Sequence, residues 1–332
     1  MKIKVHTAII GSGITGLSLA HFLSKKSKDF IVLESKNKTG GIIQTEIKDN
    51  FVCENGPNTV LLNNDAIIEL IKDYGMYEKI IFPNVKNNKN RFLLYNDQLT
   101  PVPTSILNFL FTPLLSISGK IRFLAELFIK KHESNTTVYN FVCKRFGKEF
   151  HDKLIVPFIT GVYAGDTKNM SVKHSLKILW KLEQENGSVI KGLMKSKKKS
   201  ASSFNFSLGL SELISKIEEN LKRQIKLNFK ATQILKTENG YEVISEGDTI
   251  VCNRLICAIP AYSLKNIVFS HSLKDSLSKV KYNPVDVFHF GFFKKNIKKM
   301  KNGFGVLTKP SDHKKYLGIL FNSQIFSHVS QG

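Results

Sequence analysis

The chain has 332 residues, of which 42% are hydrophobic, and a formal net charge of +22 from 49 lysines and arginines against 27 aspartates and glutamates. That length leaves room for two domains and a large core, and that hydrophobic content excludes an intrinsically disordered chain. There is no zinc-ligand spacing and no nucleic-acid motif, so the positive charge is not read as a nucleic-acid footprint. Arginine stands only at Arg91, Arg122, Arg145, Arg223 and Arg254. Richness in lysine, asparagine and isoleucine is what an AT-rich coding sequence produces. Attraction to acidic lipid head groups or a polycarboxylate substrate is the functional alternative. Cys53, Cys143, Cys252 and Cys257 form no CxxC pair, which points to reduced thiols in a cytosolic protein.

The first element is the strand Val5–Ile10, reached directly from Met1-Lys2-Ile3-Lys4 with no signal peptide ahead of it. It runs into Gly11-Ser12-Gly13-Ile14-Thr15-Gly16 and then into a helix with Leu17, Ala20 and Leu23 on its apolar face. Strand, glycine turn and helix in this order form a dinucleotide fingerprint: the turn is tight, the backbone at Gly13 can approach a pyrophosphate, and helix N–H groups face the anion. A second strand, Phe30–Leu33, ends at Glu34, whose carboxylate would accept ribose hydroxyls and repel a 2′-phosphate, which speaks against NADP. The pair Gly40-Gly41 and the turn Glu54-Asn55-Gly56-Pro57 supply further places where backbone can lie against a long cofactor, favouring FAD over NAD.

Helical spacing follows at Ala66, Ile67, Leu70 and Ile71, then a hairpin of Arg91–Tyr95 and Leu99–Val102. Residues 104 to about 193 read as mostly helical. The apolar run from Ile106 to Gly119 is broken by Pro113 and falls short of the ~20 residues of a membrane span. With Phe109, Leu110, Phe111, Leu114 and Leu115 beside Lys120, Lys130 and Lys131, it reads either as a peripheral membrane contact or as a buried helix pair. The lysine-rich stretch 195–203 reads as an exposed loop at a domain seam. Beyond it come a helix, Ser211–Leu221, and strands at Ile225–Phe229, Gln233–Lys236, Gly240–Ser245, Thr249–Val251 and Leu255–Pro260. Alternation at Val287–Phe292 and Tyr316–Phe321 predicts antiparallel strands of a second sheet. His151, His174 and His289 show no metal-ligand spacing, and Trp180 reads as core.

Spaced along the first sixty residues, these glycine features resemble the amine-oxidase-like flavoproteins. By that resemblance Gly40, Gly41 and Thr45 line the pyrophosphate and ribitol, with Ser35 beside Glu34. Gly56, Pro57, Asn58 and Thr59 approach the isoalloxazine, Ala231 offers its backbone to the adenine, and Ala258-Ile259-Pro260 closes the pocket. The blocks Asn90–Pro103 (NRFLLYNDQLTPVP), Val156–Asp166 (VPFITGVYAGD), Leu179–Gly192 (LWKLEQENGSVIKG) and Gly303–Leu307 (GFGVL) narrow the resemblance to the protoporphyrinogen and coproporphyrinogen oxidases of haem biosynthesis.

That resemblance implies an α/β fold in which an FAD-binding Rossmann-like domain (1–88 and 201–284) is interleaved with an antiparallel-sheet substrate domain (89–103 and 285–332) and a helical insertion (104–200). It places Arg91 on a substrate propionate, Gly161 against the tetrapyrrole and Leu307 on the macrocycle. It implies removal of six hydrogens from a porphyrinogen, with hydride passing to flavin N5 and dioxygen as final acceptor, so no acid–base dyad, nucleophile or metal is called for. The expected setting is the cytoplasm, peripheral on the cytoplasmic membrane, and a homodimer is left open. Family members continue for roughly another hundred residues beyond Ile325–Gly332, which leaves the expected flavin site one wall short. The other readings left open are a related flavoenzyme acting on amines or carotenoids, and a fragment that binds FAD or porphyrin without turnover.

Overall fold

A computed structural model describes residues 1–196, 202–297, 300–309 and 314–330. Its centre is the strand β1, Lys2–Ile10, whose last four residues are buried on both faces. It lies parallel to β2 (Phe30–Leu33) on one side and to β13 (Asp248–Cys257) on the other. β10 (Ile225–Lys226) extends the parallel edge beside β2. β12 (Gly240–Ser245) and β11 (Gln233–Thr237) complete six strands in the order β10-β2-β1-β13-β12-β11, the last two antiparallel. Strands buried on both faces need near-continuous hydrophobic runs, which Ala8-Ile9-Ile10 and Phe30–Leu33 supply. The helix α1, Ile14–Ser24, and the helix Ser211–Leu221 cover one face through Leu17, Ala20, Leu213, Ile214 and Ile217. On the other face Phe229, Ile234, Val243 and Ile250 form a second cluster.

Smaller pieces hang from this sheet. β3 (Thr45–Lys48) and β4 (Phe51–Glu54) form a hairpin, and β9 (Ser202–Phe206) pairs with both β5 (Val60–Leu62) and β6 (Ile80–Ile81). A four-stranded sheet runs β15-β14-β7-β8, from Gly318–Leu320, Gly305–Leu307, Arg91–Tyr95 and Gln98–Pro101. The helices of residues 106–195 pack around Val138, Phe141, Val142, Phe146, Ile159, Val172 and Val189.

Five expectations change. The second sheet is mixed and not wholly antiparallel, because β14 runs parallel to β7 while β15 and β8 pair antiparallel on either side. Thr249–Val251 and Leu255–Pro260 are not separate strands: one strand runs through polar Asn253 and Arg254, because its ladder with β1 is continuous from Lys2–Thr249 to Ile10–Cys257. The strand expected at Ile225–Phe229 pairs only over Ile225–Lys226 before the chain turns at Asn228, where φ is +57°. Tyr316–Phe321 shortens to Gly318–Leu320. Val287–Phe292 is not a strand at all. Residues 281–293 are exposed throughout, touching the rest only through contacts such as His289 Nε2 to Glu54 O at 3.2 Å and Gly291 against the Phe51 ring. Alternation requires an extended chain but names no neighbour to pair with. The lysine run at 197–200 lies outside the described residues.

The helical region is held by a buried ionic knot. Arg145, fully buried, places Nε 3.0 Å from both Glu126 Oε1 and Glu183 Oε1, themselves fully buried. Nε makes these contacts as an ion pair and not as an aligned hydrogen bond. Nη1 and Nη2 donate to Ile129 O and Gly187 O, both at 2.5 Å. Glu126 accepts from Ser188 Oγ and the N–H of Val189 and so caps the next helix, while Glu183 pairs with His132 Nδ1 at 2.8 Å. On the outside, Phe111, Ile117 and Phe128 are 84%, 78% and 89% exposed, and no helix among the described residues is long and apolar enough to cross a membrane. Removing one partner of a buried ion pair leaves an uncompensated charge, so Arg145→Met is expected to cost roughly 3–5 kcal/mol. Chemical denaturation followed by Trp180 fluorescence measures this, and an unchanged midpoint would show that the knot carries no stability.

Candidate cofactor and substrate site

The C-terminal ends of β1, β2 and β13 meet at one edge of the central sheet. Gly11 donates its N–H to Leu33 O at 2.8 Å and Ala258 donates to Ile10 O at 2.8 Å. Gly11 has φ +103°, and a Cβ there would stand 2.9 Å from Ala258 O, so the three chain ends touch only because this residue is glycine. Gly13 is the N-cap of α1, and no side chain caps that helix, which leaves the N–H groups of Ile14, Thr15 and Gly16 directed outward. A Cβ at Gly13 would meet only the Cα of Gly41, 4.0 Å away. The space before the helix is open and lined by N–H donors, which fits a pyrophosphate.

Glu34 is buried at the tip of β2. Its Oε2 accepts from Ser12 N at 3.0 Å and Ser12 Oγ at 2.6 Å, and its Oε1 from Lys36 N at 2.9 Å and Ser35 Oγ at 3.2 Å. Burial alone would raise its pKa; the bonds from Ser12, Lys36 and Ser35 outweigh burial and hold it below the ordinary carboxylate value. The two backbone donors are fixed, but the two serine hydroxyls rotate, which would free one site on each oxygen for a ribose hydroxyl. Phe229 donates its N–H to Glu34 O at 2.7 Å, bringing the segment that carries Ala231 alongside.

The strip continues from the helix toward the β3–β4 hairpin. Gly13 and Gly40 form a parallel bridge, Gly40 donates to Ser12 O, and a Cβ on Gly56 would collide with Ile42 O. Thr45 is taken up otherwise: its hydroxyl donates to Glu54 Oε2 at 2.8 Å, and its N–H donates to Ser211 Oγ at 2.8 Å. Glu54 is buried and also accepts from Leu210 N and Asn205 Nδ2. Asn205 reaches on to Asn58 O at 3.0 Å, and Asn322 Nδ2 donates to Asn58 Oδ1 at 3.3 Å. The turn Gly56–Thr59 is thus suspended between the hairpin, β9 and the segment after β15.

The second sheet gathers the other candidates. Pairing of β7 with β14 sets Arg91 beside Gly305 and Leu93 beside Leu307, so Arg91 and Leu307 share a face. Leu307 rests on Gly161 of the helix Val156–Tyr163, where an added Cβ would lie 2.5 Å from Leu307 Cδ2. Asn322 and Phe321, which follow β15, join this sheet to the Asn58 turn: Asn322 donates to Asn58 and Phe321 to Phe304 O. A cleft of about 440 Å³ lined by Tyr139, Lys148, His151, Asp152 and Thr167 contains none of the expected cofactor or substrate residues.

A dinucleotide cradle, a second sheet and a helical region in this arrangement agree with the comparison to known proteins. The sequence pattern of the flavin-containing amine oxidoreductases matches residues 14–328. The chain belongs to that family. Protoporphyrinogen oxidase 1 of Spinacia oleracea chloroplasts is 32% identical over 96% of this chain and 63% of its own length. Coproporphyrinogen III oxidase of Bacillus subtilis is 27% identical over 93% of this chain and 71% of its own. A protein of Exiguobacterium sp. 255-15, provisionally assigned as a protoporphyrinogen oxidase, has a crystal structure that superposes with a TM-score of 0.79 at 21% identity, over 99% of this chain and 74% of that one. The chain spans under two thirds of the length of the spinach relative and of the tobacco chloroplast relative.

As a member of a flavin-containing family the chain takes FAD, whose adenosine diphosphate half suits the open α1 N-terminus and Glu34. Sequence reading did not find Asn205, Ser211 or Asn322, since nothing local marks a side chain that acts on a turn far away in sequence. Glu34→Gln would set an amide N–H₂ against fixed donors, at a cost of about 1–3 kcal/mol. The variant is expected to retain less FAD after gel filtration. Because the folded-state pKa lies below 4.5, the stabilisation from Glu34 is complete above that pH and is lost as pH falls through the folded value. Melting curves should therefore drop more steeply on acidification in the parent protein than in Glu34→Gln, and parallel curves would rule out this role.

Proposed function

We propose that the chain takes part in FAD-dependent oxidation of a porphyrinogen, coproporphyrinogen III or protoporphyrinogen IX, to the porphyrin, with dioxygen as acceptor. The observation that carries this reading is the convergence of Arg91, Leu307 and Gly161 at the sheet joined to the Asn58 turn. Residues 1–88 and 201–284 would hold the cofactor, and 89–103 with 285–332 the substrate. Gly11 to Gly16, Gly40 and Gly41 would line the pyrophosphate. Gly56 to Thr59 would lie at the ring system, Ala231 at the adenine, and Ala258 would close the base of the cradle. When bound, FAD supplies the two-electron acceptor, so three turnovers remove six hydrogens and convert three dioxygen molecules to three of hydrogen peroxide.

The chain's own residues bind and orient. A guanidinium fork grips a propionate through paired hydrogen bonds, and Leu307 offers an apolar surface to the macrocycle. Orientation of a bound substrate against a fixed acceptor is the main service required. The exposed Phe111, Ile117 and Phe128, near Lys120, Lys130 and Lys131, suit peripheral contact with an anionic membrane on its cytoplasmic side. The exposed, unpaired stretch 281–293 favours a second reading, in which the chain holds FAD or porphyrin without turnover.

With FAD and either porphyrinogen, porphyrin fluorescence is expected to grow faster than in a protein-free control. Arg91→Ala should raise KM by about 10- to 100-fold, the worth of a charged hydrogen-bonded pair, and leave FAD content unchanged. A flat trace with tight porphyrin binding would establish the second reading. Phe111→Ser with Phe128→Ser is expected to reduce co-sedimentation with phosphatidylglycerol vesicles, and equal binding would remove the membrane assignment.

A further inference from the structure

Phe304, immediately before β14, has no role in the porphyrinogen reading. Its ring lies under the guanidinium of Arg91, with Cζ 4.7 Å from the ring centroid. Nη1 of the same guanidinium donates to Asn88 O at 2.9 Å. An arginine head has a flat face that stacks and five N–H groups around its rim. Phe304 supports the guanidinium from one side and Asn88 holds Nη1, so two contacts restrain the remaining rim donors before any ligand arrives.

Phe304 is itself fixed by its backbone. It donates its N–H to Asn90 O at 2.7 Å and accepts from Phe321 N at 3.0 Å. Its neighbours let the strand lie this close. A Cβ on Gly303 would stand 2.8 Å from Asn90 O, and one on Gly305, where φ is +157°, would stand 3.1 Å from Leu320 Cα. The Gly-Phe-Gly sequence thus inserts a strand between β7 and β15 at a depth that brings its aromatic ring beneath Arg91.

We propose that Phe304 is a positioning residue which, by stacking on Arg91, presents the guanidinium rim to a carboxylate of the tetrapyrrole. The proposal rests on the porphyrinogen reading above. A free arginine side chain samples many rotamers, and binding must immobilise it; a stacked one has lost that freedom in advance.

The test is a double-mutant cycle on the full chain with FAD, reading the Kd of coproporphyrin III by fluorescence quenching and, in parallel, KM and kcat. Phe304→Leu is expected to weaken porphyrin binding by roughly 3- to 10-fold, and Phe304→Tyr to restore it to within about twofold. KM should rise with kcat unchanged. In an Arg91→Ala background, Phe304→Leu should have no further effect. Phe304→Met, apolar and of similar size, serves in place of leucine if that variant does not fold. Equal losses from Phe304→Leu with and without Arg91 would overturn the positioning role while leaving the porphyrinogen reading intact. A parent protein that binds no porphyrin would overturn both.

Discussion

The parallel pairing of β1 with β13 is the constraint on which everything else is hung. It joins the N-terminal strands to the later half of the six-stranded sheet, from Lys2–Thr249 to Ile10–Cys257, across most of the sequence. Its C-terminal end delivers Gly11 and Ala258 into contact and, through β2, sets Glu34 beside Ser12. The second sheet's β7–β8 hairpin and the helical region leave and re-enter between these strands, so their placement relative to the cradle is inherited from one ladder. Parallel strands need long crossovers, and here the crossover has become most of the protein.

Three buried glutamates do the joining at longer range. Glu54 ties the β3–β4 hairpin to β9 and to the start of the helix Ser211–Leu221, and through Asn205 fixes the turn at Asn58. Glu126 and Glu183 do the same around Arg145 in the helical region. In each case the charge is surrounded by donors, which is the condition for a charge to be buried at tolerable cost. Hydrophobic packing builds the clusters, and these polar nodes decide how the clusters face one another.

What the sequence disclosed follows from this division. The strand-turn-helix-strand unit ending at Glu34, the helix Ser211–Leu221 and the strand Gly240–Ser245 are local patterns, and they stand where the periodicity puts them. The continuity of β13 was hidden because Asn253 and Arg254 interrupt its apolar run, while the ladder that holds them straight lies on β1. Val287–Phe292 was overread for the opposite reason: its pattern is local and its missing neighbour is not. Thr45 reads from its position as a cofactor contact, yet its hydroxyl is occupied by a carboxylate nine residues on. Arg145 offered no clue beyond being one of few arginines, since its partners come from two other segments, 126–129 and 183–187.

The exposed stretch 281–293 gives the charge of the chain a colloidal meaning. Val287-Phe288-His289-Phe290-Gly291-Phe292 has no proline, little charge and no strand partner among the described residues, which is the character of a segment that stacks into cross-β assemblies. A net charge of +22 sets molecules against one another and opposes that stacking. Such repulsion reaches about 10 Å at 0.1 M salt and only about 3 Å at 1 M. The lysines of this chain therefore act as gatekeepers for that aromatic ribbon, and their protection fades as ionic strength rises.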